Sequence, residues 1–207
     1  MNLYELIVAD VGNDILEVFG GSGSGKTTFA LEVIRTAREL GKKVFYIDTE
    51  RNIKEPLPPE EYAYISSFND LHRFALQSLP KADLIILDSI GVTALGEYAS
   101  LDMKQRGEAL MRVQSIFYKL KQWTQRNNAL AIVLNQPVSD FNKGEGVILG
   151  PFGDKGIYYC KEVWKSIMVG STPEKTVCMI ESFRSRLNGR GKRLFKLDIS
   201  GQGVKIE

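Results

Sequence analysis

The stretch Gly20-Gly21-Ser22-Gly23-Ser24-Gly25-Lys26-Thr27 fits the pattern G-x-x-x-x-G-K-[ST], with an apolar run, Ile15 to Phe19, before it and an amphipathic pattern, Thr27 to Leu40, after it. Strand, glycine-rich loop and helix in that order predict a phosphate-binding loop. Glycines let the backbone turn tightly enough to aim several N–H groups inward, and the helix N-terminus adds partial positive charge. Lys26 supplies a cation for β- and γ-phosphates, and the Thr27 hydroxyl is a candidate ligand for Mg2+. A glycine-rich turn that merely contained Lys-Thr would lack the flanking strand and helix. The expected nucleotide-binding set is therefore Gly20, Gly21, Ser22, Gly23, Ser24, Gly25, Lys26, Thr27 and Thr28, and the expected ligand a nucleoside triphosphate.

With 207 residues, 43% of them hydrophobic and 25% charged, the chain is expected to form one globular domain over residues 1–207. No apolar run approaches the roughly 18 residues of a membrane span. The N-terminus, with Glu5 and Asp10 and no basic start, does not read as a secretory signal, so a cytoplasmic protein without a membrane partner is expected. Cys160 and Cys178 lie far from any C-x-x-C spacing in apolar surroundings and predict buried thiols rather than a disulfide or a zinc site. A net charge of +2 is too small to argue for a polyanionic partner, although the cations are unevenly spread.

Strand-like and helix-like segments alternate, which predicts an α/β fold with a mainly parallel sheet flanked by helices. After the loop, Phe29, Ala30, Val33, Ile34, Ala37 and Leu40 form an apolar stripe at helical spacing, ended by Gly41. Lys43 to Ile47 reads as a strand and the proline-rich Arg51 to Glu61 as a surface connection. A short helix follows, with Phe68, Leu71, Phe74, Ala75 and Leu79 on one side and the sole histidine, His72, solvated on the other. Leu84 to Leu87 and Ala129 to Leu134 are continuous apolar runs, as expected of central strands covered on both faces. Between them Gln105 to Arg126 reads as a long helix, and Val138 to Pro151 as an exposed loop. Three segments, Val163 to Val169, Thr176 to Ile180 and Arg193 to Ile199, are expected to pair antiparallel at the sheet's edge.

Parallel sheets bind ligands at the carboxyl ends of their strands. Asp88 ends the Leu84 run there, and Tyr46-Ile47-Asp48-Thr49-Glu50 brings two more carboxylates to the same edge. Glu50 is the candidate to orient a water in line with the γ-phosphorus, with Asp48 in a supporting place. The alternative for Glu50 is a solvated residue that opens the Arg51 loop.

In this setting the chain resembles the ATPase core of RecA-like recombinases, most closely the short archaeal RadB and other RadA paralogues, with KaiC-like ATPases as near relatives. The resemblance rests on Gly20 to Thr27, Tyr46 to Glu50, Leu84-Ile85-Ile86-Leu87-Asp88-Ser89, and Leu134-Asn135-Gln136, in that order. It implies ATP and Mg2+ as ligands, Lys26 and Thr27 as phosphate and Mg2+ contacts, and Asp88 as the second Mg2+ residue. It further implies Glu50 as activator of the attacking water, and Gln136 as a γ-phosphate sensor at the root of a DNA-facing loop, Val138 to Gly150. Basic residues near the C-terminus, Arg184 and Arg186, correspond to groups that reach a neighbouring subunit's nucleotide. The plain alternative is that they solvate a hairpin or touch nucleic acid.

The chain has no clear phenylalanine-alanine polymerisation motif ahead of Asp14, and the region Gly91 to Arg106 lacks an arginine-rich DNA loop, keeping only Lys104 and Arg106 as cations. Long self-assembled filaments and unaided strand exchange are therefore not expected. The expectation is a recombinase paralogue with slow ATPase activity, a conditional homo-oligomer that assists a main recombinase in DNA recombination and repair. Single-stranded DNA is expected to bind along Lys104, Arg106, Phe141 and Lys143, with Phe141 either stacking on bases or folding back onto the core. The alternative reading is a KaiC-like regulatory ATPase with protein partners and no DNA.

Overall fold

A computed structural model describes residues 2–53, 57–98, 101–136, 138–139, 147–148, 158–185, 193–200 and 203–206. Among these residues five α-helices and eleven strands follow one another as α1 (Leu3–Val11), β1 (Ile15–Phe19), α2 (Lys26–Glu39), β2 (Val44–Asp48), β3 (Tyr62–Tyr64), α3 (Phe68–Gln77), β4 (Leu84–Asp88), α4 (Ile90–Tyr98), α5 (Met103–Asn127), β5 (Leu130–Asn135), β6 (Val138–Ser139), β7 (Val147–Ile148), β8 (Glu162–Ser171), β9 (Lys175–Ser185), β10 (Arg193–Ser200) and β11 (Gly203–Ile206). One sheet takes all but β6 and β7, in the order β11-β10-β9-β8-β1-β5-β4-β2-β3. Its strands from β8 to β3 are parallel to their neighbours, whereas β8 to β11 pair antiparallel.

Period-two alternation in the buried strands feeds two apolar layers. Ile15, Phe19, Ile47, Leu87 and Val133 face α3, α4 and α5, while Leu16, Val18, Tyr46, Ile86 and Leu134 face α1 and α2. On the second face the sheet extension adds Trp164, Cys178, Ile180 and Phe195, with the Trp164 and Phe195 rings 5.6 Å apart.

Several sequence expectations are corrected. Residues before Asp14, given no element by sequence, form α1: Asn2 and Glu5 make a reciprocal capping box, and Leu3, Tyr4, Ile7 and Val11 bury one helical stripe on α2. The edge holds four antiparallel-paired strands rather than three, because β11 adds to β10. The Arg51 to Glu61 connection ends in a 3-10 turn, Pro59–Glu61, and is followed by β3, which pairs with β2. Val138–Ser139 and Val147–Ile148 form a two-stranded ladder inside the segment expected to be loop. His72 is not simply solvated. It is half-buried, its Nε2 lies 2.9 Å from Ser115 Oγ of α5, and burial with Arg112 nearby lowers its pKa. The expected buried thiols are present at Cys160 and Cys178.

Candidate nucleotide cleft

Parallel pairing sets the carboxyl ends of four strands level with one another. Asp48 pairs with Asp88, Asp88 with Leu134, and Phe19 with Asn135. The loop after β1 therefore rises beside the ends of β2, β4 and β5. A cleft of about 760 Å³ opens there, lined by the loop from Ser22 to Thr28 together with Glu50, Asp88 and Gln136. Its walls add Leu31, Asn52, Ile53, Leu57, Thr176 and Ile199.

The loop is shaped by close approach. Gly25 takes a left-handed φ of +84°, and a Cβ there would sit 3.1 Å from both Cys178 Sγ and Ile199 Cδ1. A Cβ on Gly20 would meet the Ser166 carbonyl oxygen at 2.3 Å, so both glycines are sterically required. Lys26 opens α2 and is only 9% exposed. Its Nζ donates to the carbonyls of Gly20 at 2.7 Å and Gly21 at 2.9 Å. Burial lowers the Lys26 pKa against the opposing pull of Asp88 and Glu50. A cation held in this way among carbonyls is a site prepared for an anion.

Thr27 and Asp88 meet directly, the Thr27 hydroxyl donating to Asp88 Oδ2 at 2.7 Å. The Tyr46 hydroxyl donates to the same oxygen at 2.6 Å. Asp88 is 2% exposed, and burial raises its pKa although both hydroxyls pull it down. The same burial and the neighbouring Asp88 push the Tyr46 phenol well above its ordinary value. A hydroxyl and a buried carboxylate side by side form a hard oxygen pair of the kind Mg2+ takes, and a divalent cation would offset the cost of keeping Asp88 ionised.

Glu50 follows β2 and is half-buried, accepting from Ser89 Oγ and from Asn52 Nδ2. It is thus oriented at the cleft rather than dangling. Asp48 supports it from below: fully buried, it accepts the backbone N–H of Glu50 at 2.9 Å and of Arg51 at 2.8 Å, and the Tyr62 hydroxyl at 3.0 Å. Thr49 stitches β2 to β4, its hydroxyl accepting from Ser89 N–H at 2.9 Å, and the Asp88–Ser89 peptide is cis. At the end of β5 the Asn135 Oδ1 accepts the Gln136 N–H at 2.9 Å, while Asn135 Nδ2 donates at 3.0 Å to Glu17, a carboxyl whose pKa full burial raises.

Lys26, Thr27, Glu50, Asp88 and Gln136 therefore share one cleft. The DNA-facing candidates do not join them there. Lys104 and Arg106 stand in the first turns of α5, where Arg106 Nε donates to the Leu101 carbonyl at 3.0 Å. Arg184 lies with its guanidinium 5.5 Å from the Tyr158 ring centroid, half-buried at the end of β9. Phe141, Lys143 and Arg186 lie outside the described residues. Sequence reading missed Tyr46 as a partner of Asp88. The pairing of Asp48 with Asp88 makes it reachable, because residues two apart on one strand share a face. It also missed Ser89 and Asn52, whose roles depend on how the two strand ends meet.

Among the described residues no helix is long and apolar enough to cross a membrane, and no cluster of three or more His, Cys, Asp or Glu could hold a metal on its own. No family model matches the chain. The chain is 23% identical to the DNA repair and recombination protein RadB of Methanosphaera stadtmanae, in an alignment that covers 92% of this chain and 86% of the relative. A solved structure, the crystal structure of the RadB recombinase, superposes with a TM-score of 0.67 at 23% identity, covering 94% of this chain and 90% of that one. The chain accordingly has a RecA-like fold, a mostly parallel sheet with antiparallel C-terminal strands between helices, and resembles the RadA/RadB-like recombinase core.

Proposed function

We propose that this chain binds Mg-ATP in the cleft at the carboxyl edge of its sheet and hydrolyses it slowly, acting in DNA recombination and repair as an accessory to a main recombinase. The observation that carries the proposal is the convergence of Lys26, Thr27, Asp88, Glu50 and Gln136 on one cleft beside a glycine loop. Resemblance to RadB supplies the biological setting.

In this reading the loop N–H groups and the Lys26 ammonium bind the β- and γ-phosphates. Thr27 and Asp88 would hold Mg2+, whose charge neutralises the phosphate oxygens. Glu50, fixed by Ser89 and Asn52, accepts a proton from the water that attacks the γ-phosphorus, and ADP leaves with its β-phosphate charge facing Lys26. The Gln136 amide senses the γ-phosphate. Its backbone N–H is held by the Asn135 Oδ1 at the end of β5.

Phosphate release by wild type and Glu50→Gln, with and without single-stranded DNA, tests the proposal. The expected result is slow release by wild type, release lowered at least about 100-fold in Glu50→Gln, and ATP binding retained. Unchanged release in Glu50→Gln removes Glu50 as the base. Single-stranded DNA should bind wild type at low salt and weaken steeply as salt rises. Absence of binding at low salt in either nucleotide state favours a regulatory ATPase with protein partners.

A further inference from the structure

A phosphate loop works only if its N–H groups point the same way, and in this chain one loop peptide is held by a residue far off in sequence. Ser166 of β8 is 2% exposed, and its hydroxyl donates to the Ser24 carbonyl at 2.6 Å. The placement follows from the sheet. β8 runs parallel beside β1 with Lys165 opposite Phe19, so Ser166 comes level with the first loop residue, Gly20. The loop and β8 are in backbone contact there, as the forbidden Cβ position on Gly20 shows. Ser24's own hydroxyl is buried with no hydrogen-bond partner, so Ser24 is tied down through its carbonyl rather than its side chain.

The carbonyl and the N–H of a trans peptide point in opposite directions. With the Ser24 oxygen tied to β8, the Gly25 N–H turns away from β8. Gly25 then takes its left-handed φ, and Lys26 starts α2. We infer that Ser166 is a positioning residue for phosphate binding, holding the Ser24–Gly25 peptide so that the Gly25 N–H faces a bound polyphosphate. The inference rests on the nucleotide reading proposed above. It assigns β8, the first strand of the C-terminal extension, a direct part in the phosphate site. Removing the hydroxyl lets this peptide rock, and part of the binding free energy then goes into ordering it.

The test is equilibrium binding of Mg-ATP and of inorganic tripolyphosphate to wild type, Ser166→Ala and Ser166→Thr, with nucleotide-free melting temperatures alongside. Loss of one buried hydrogen bond predicts roughly five- to tenfold weaker binding of both ligands to Ser166→Ala. Equal loss for both places the effect at the phosphates. Ser166→Thr, which keeps the hydroxyl, should recover most of the affinity, while the nucleotide-free melting temperature of Ser166→Ala falls by only about a few degrees. Affinity of Ser166→Ala within twofold of wild type overturns the inference and leaves the nucleotide reading standing. So does a loss that follows a fall in melting temperature and that Ser166→Thr does not reverse. A wild type that binds neither ligand overturns both.

Discussion

At the scale of single residues, the cleft is built from groups that burial has pushed away from their ordinary behaviour. Burial lowers the pKa of Lys26 and raises that of Asp88, and an oppositely charged ligand would offset the desolvation of each. Burial also raises the pKa of Glu17 on β1, whose two oxygens accept from Asn135 Nδ2 and the Cys160 thiol. Its raised pKa means that the folded chain holds this proton to higher pH than the unfolded chain does. Stability from this group is therefore full below the ordinary glutamate range and declines as pH rises through the raised value. Glu17→Gln keeps an oxygen for Asn135 and removes the ionisation. Urea unfolding across pH 4 to 8 should show the variant at least as stable as wild type at the upper end, with a flatter profile. A variant less stable than wild type throughout would mean that the carboxyl is needed in its charged form. The residues of the phosphate loop, Asp88 and Glu50 were legible in the sequence because their chemistry is tied to motif spacing. Glu17, Tyr46 and Ser166 were not, since each acts through a partner brought close only by strand register.

At the scale of elements, central strands and amphipathic helices announced themselves through apolar runs and helical stripes, and their bounds agree with the structure to within a few residues. Neither α4 nor the first helix was given an element by sequence; for the first helix, Asn2-x-x-Glu5 and the spacing of Leu3, Ile7 and Val11 carried a signal. It is short, and its stripe has meaning only against α2. Its packing is substantial all the same: Ile7 and Val11 have no exposed surface, and the Tyr4 N–H donates to Thr36 Oγ1 at 3.2 Å. Ile7→Ala should cost about 2–5 kcal/mol of stability by chemical denaturation, the usual range for truncating a fully buried aliphatic side chain. A cost below about 1 kcal/mol would show α1 to be a dispensable flap. β3 and β11 were missed because each is a short edge strand whose pairing comes from its neighbour and not from its own pattern.

At the scale of the whole molecule, the sheet divides into a parallel half that carries the cleft and an antiparallel extension that presses on the loop through Cys178 and Ile199. Arg184 stands on that extension, over Tyr158, and is not among the residues lining the cleft. If it completes the site of an adjacent copy, specific ATPase activity should rise with protein concentration, and Arg184→Ala should lose turnover while still binding ATP. Specific activity that stays constant from nanomolar to micromolar protein, with a monomer by light scattering, would confine Arg184 to its own chain.

The central claim is that a nucleoside triphosphate occupies the cleft because Lys26 and the glycine loop bind its phosphates. Calorimetric titration of Mg-ATP into wild type and Lys26→Ala measures this directly. The account predicts one site per chain in wild type, with affinity at least about tenfold weaker in Lys26→Ala because the buried cation is gone. Equal affinity in the two proteins, or no binding by wild type at millimolar Mg-ATP, would contradict it.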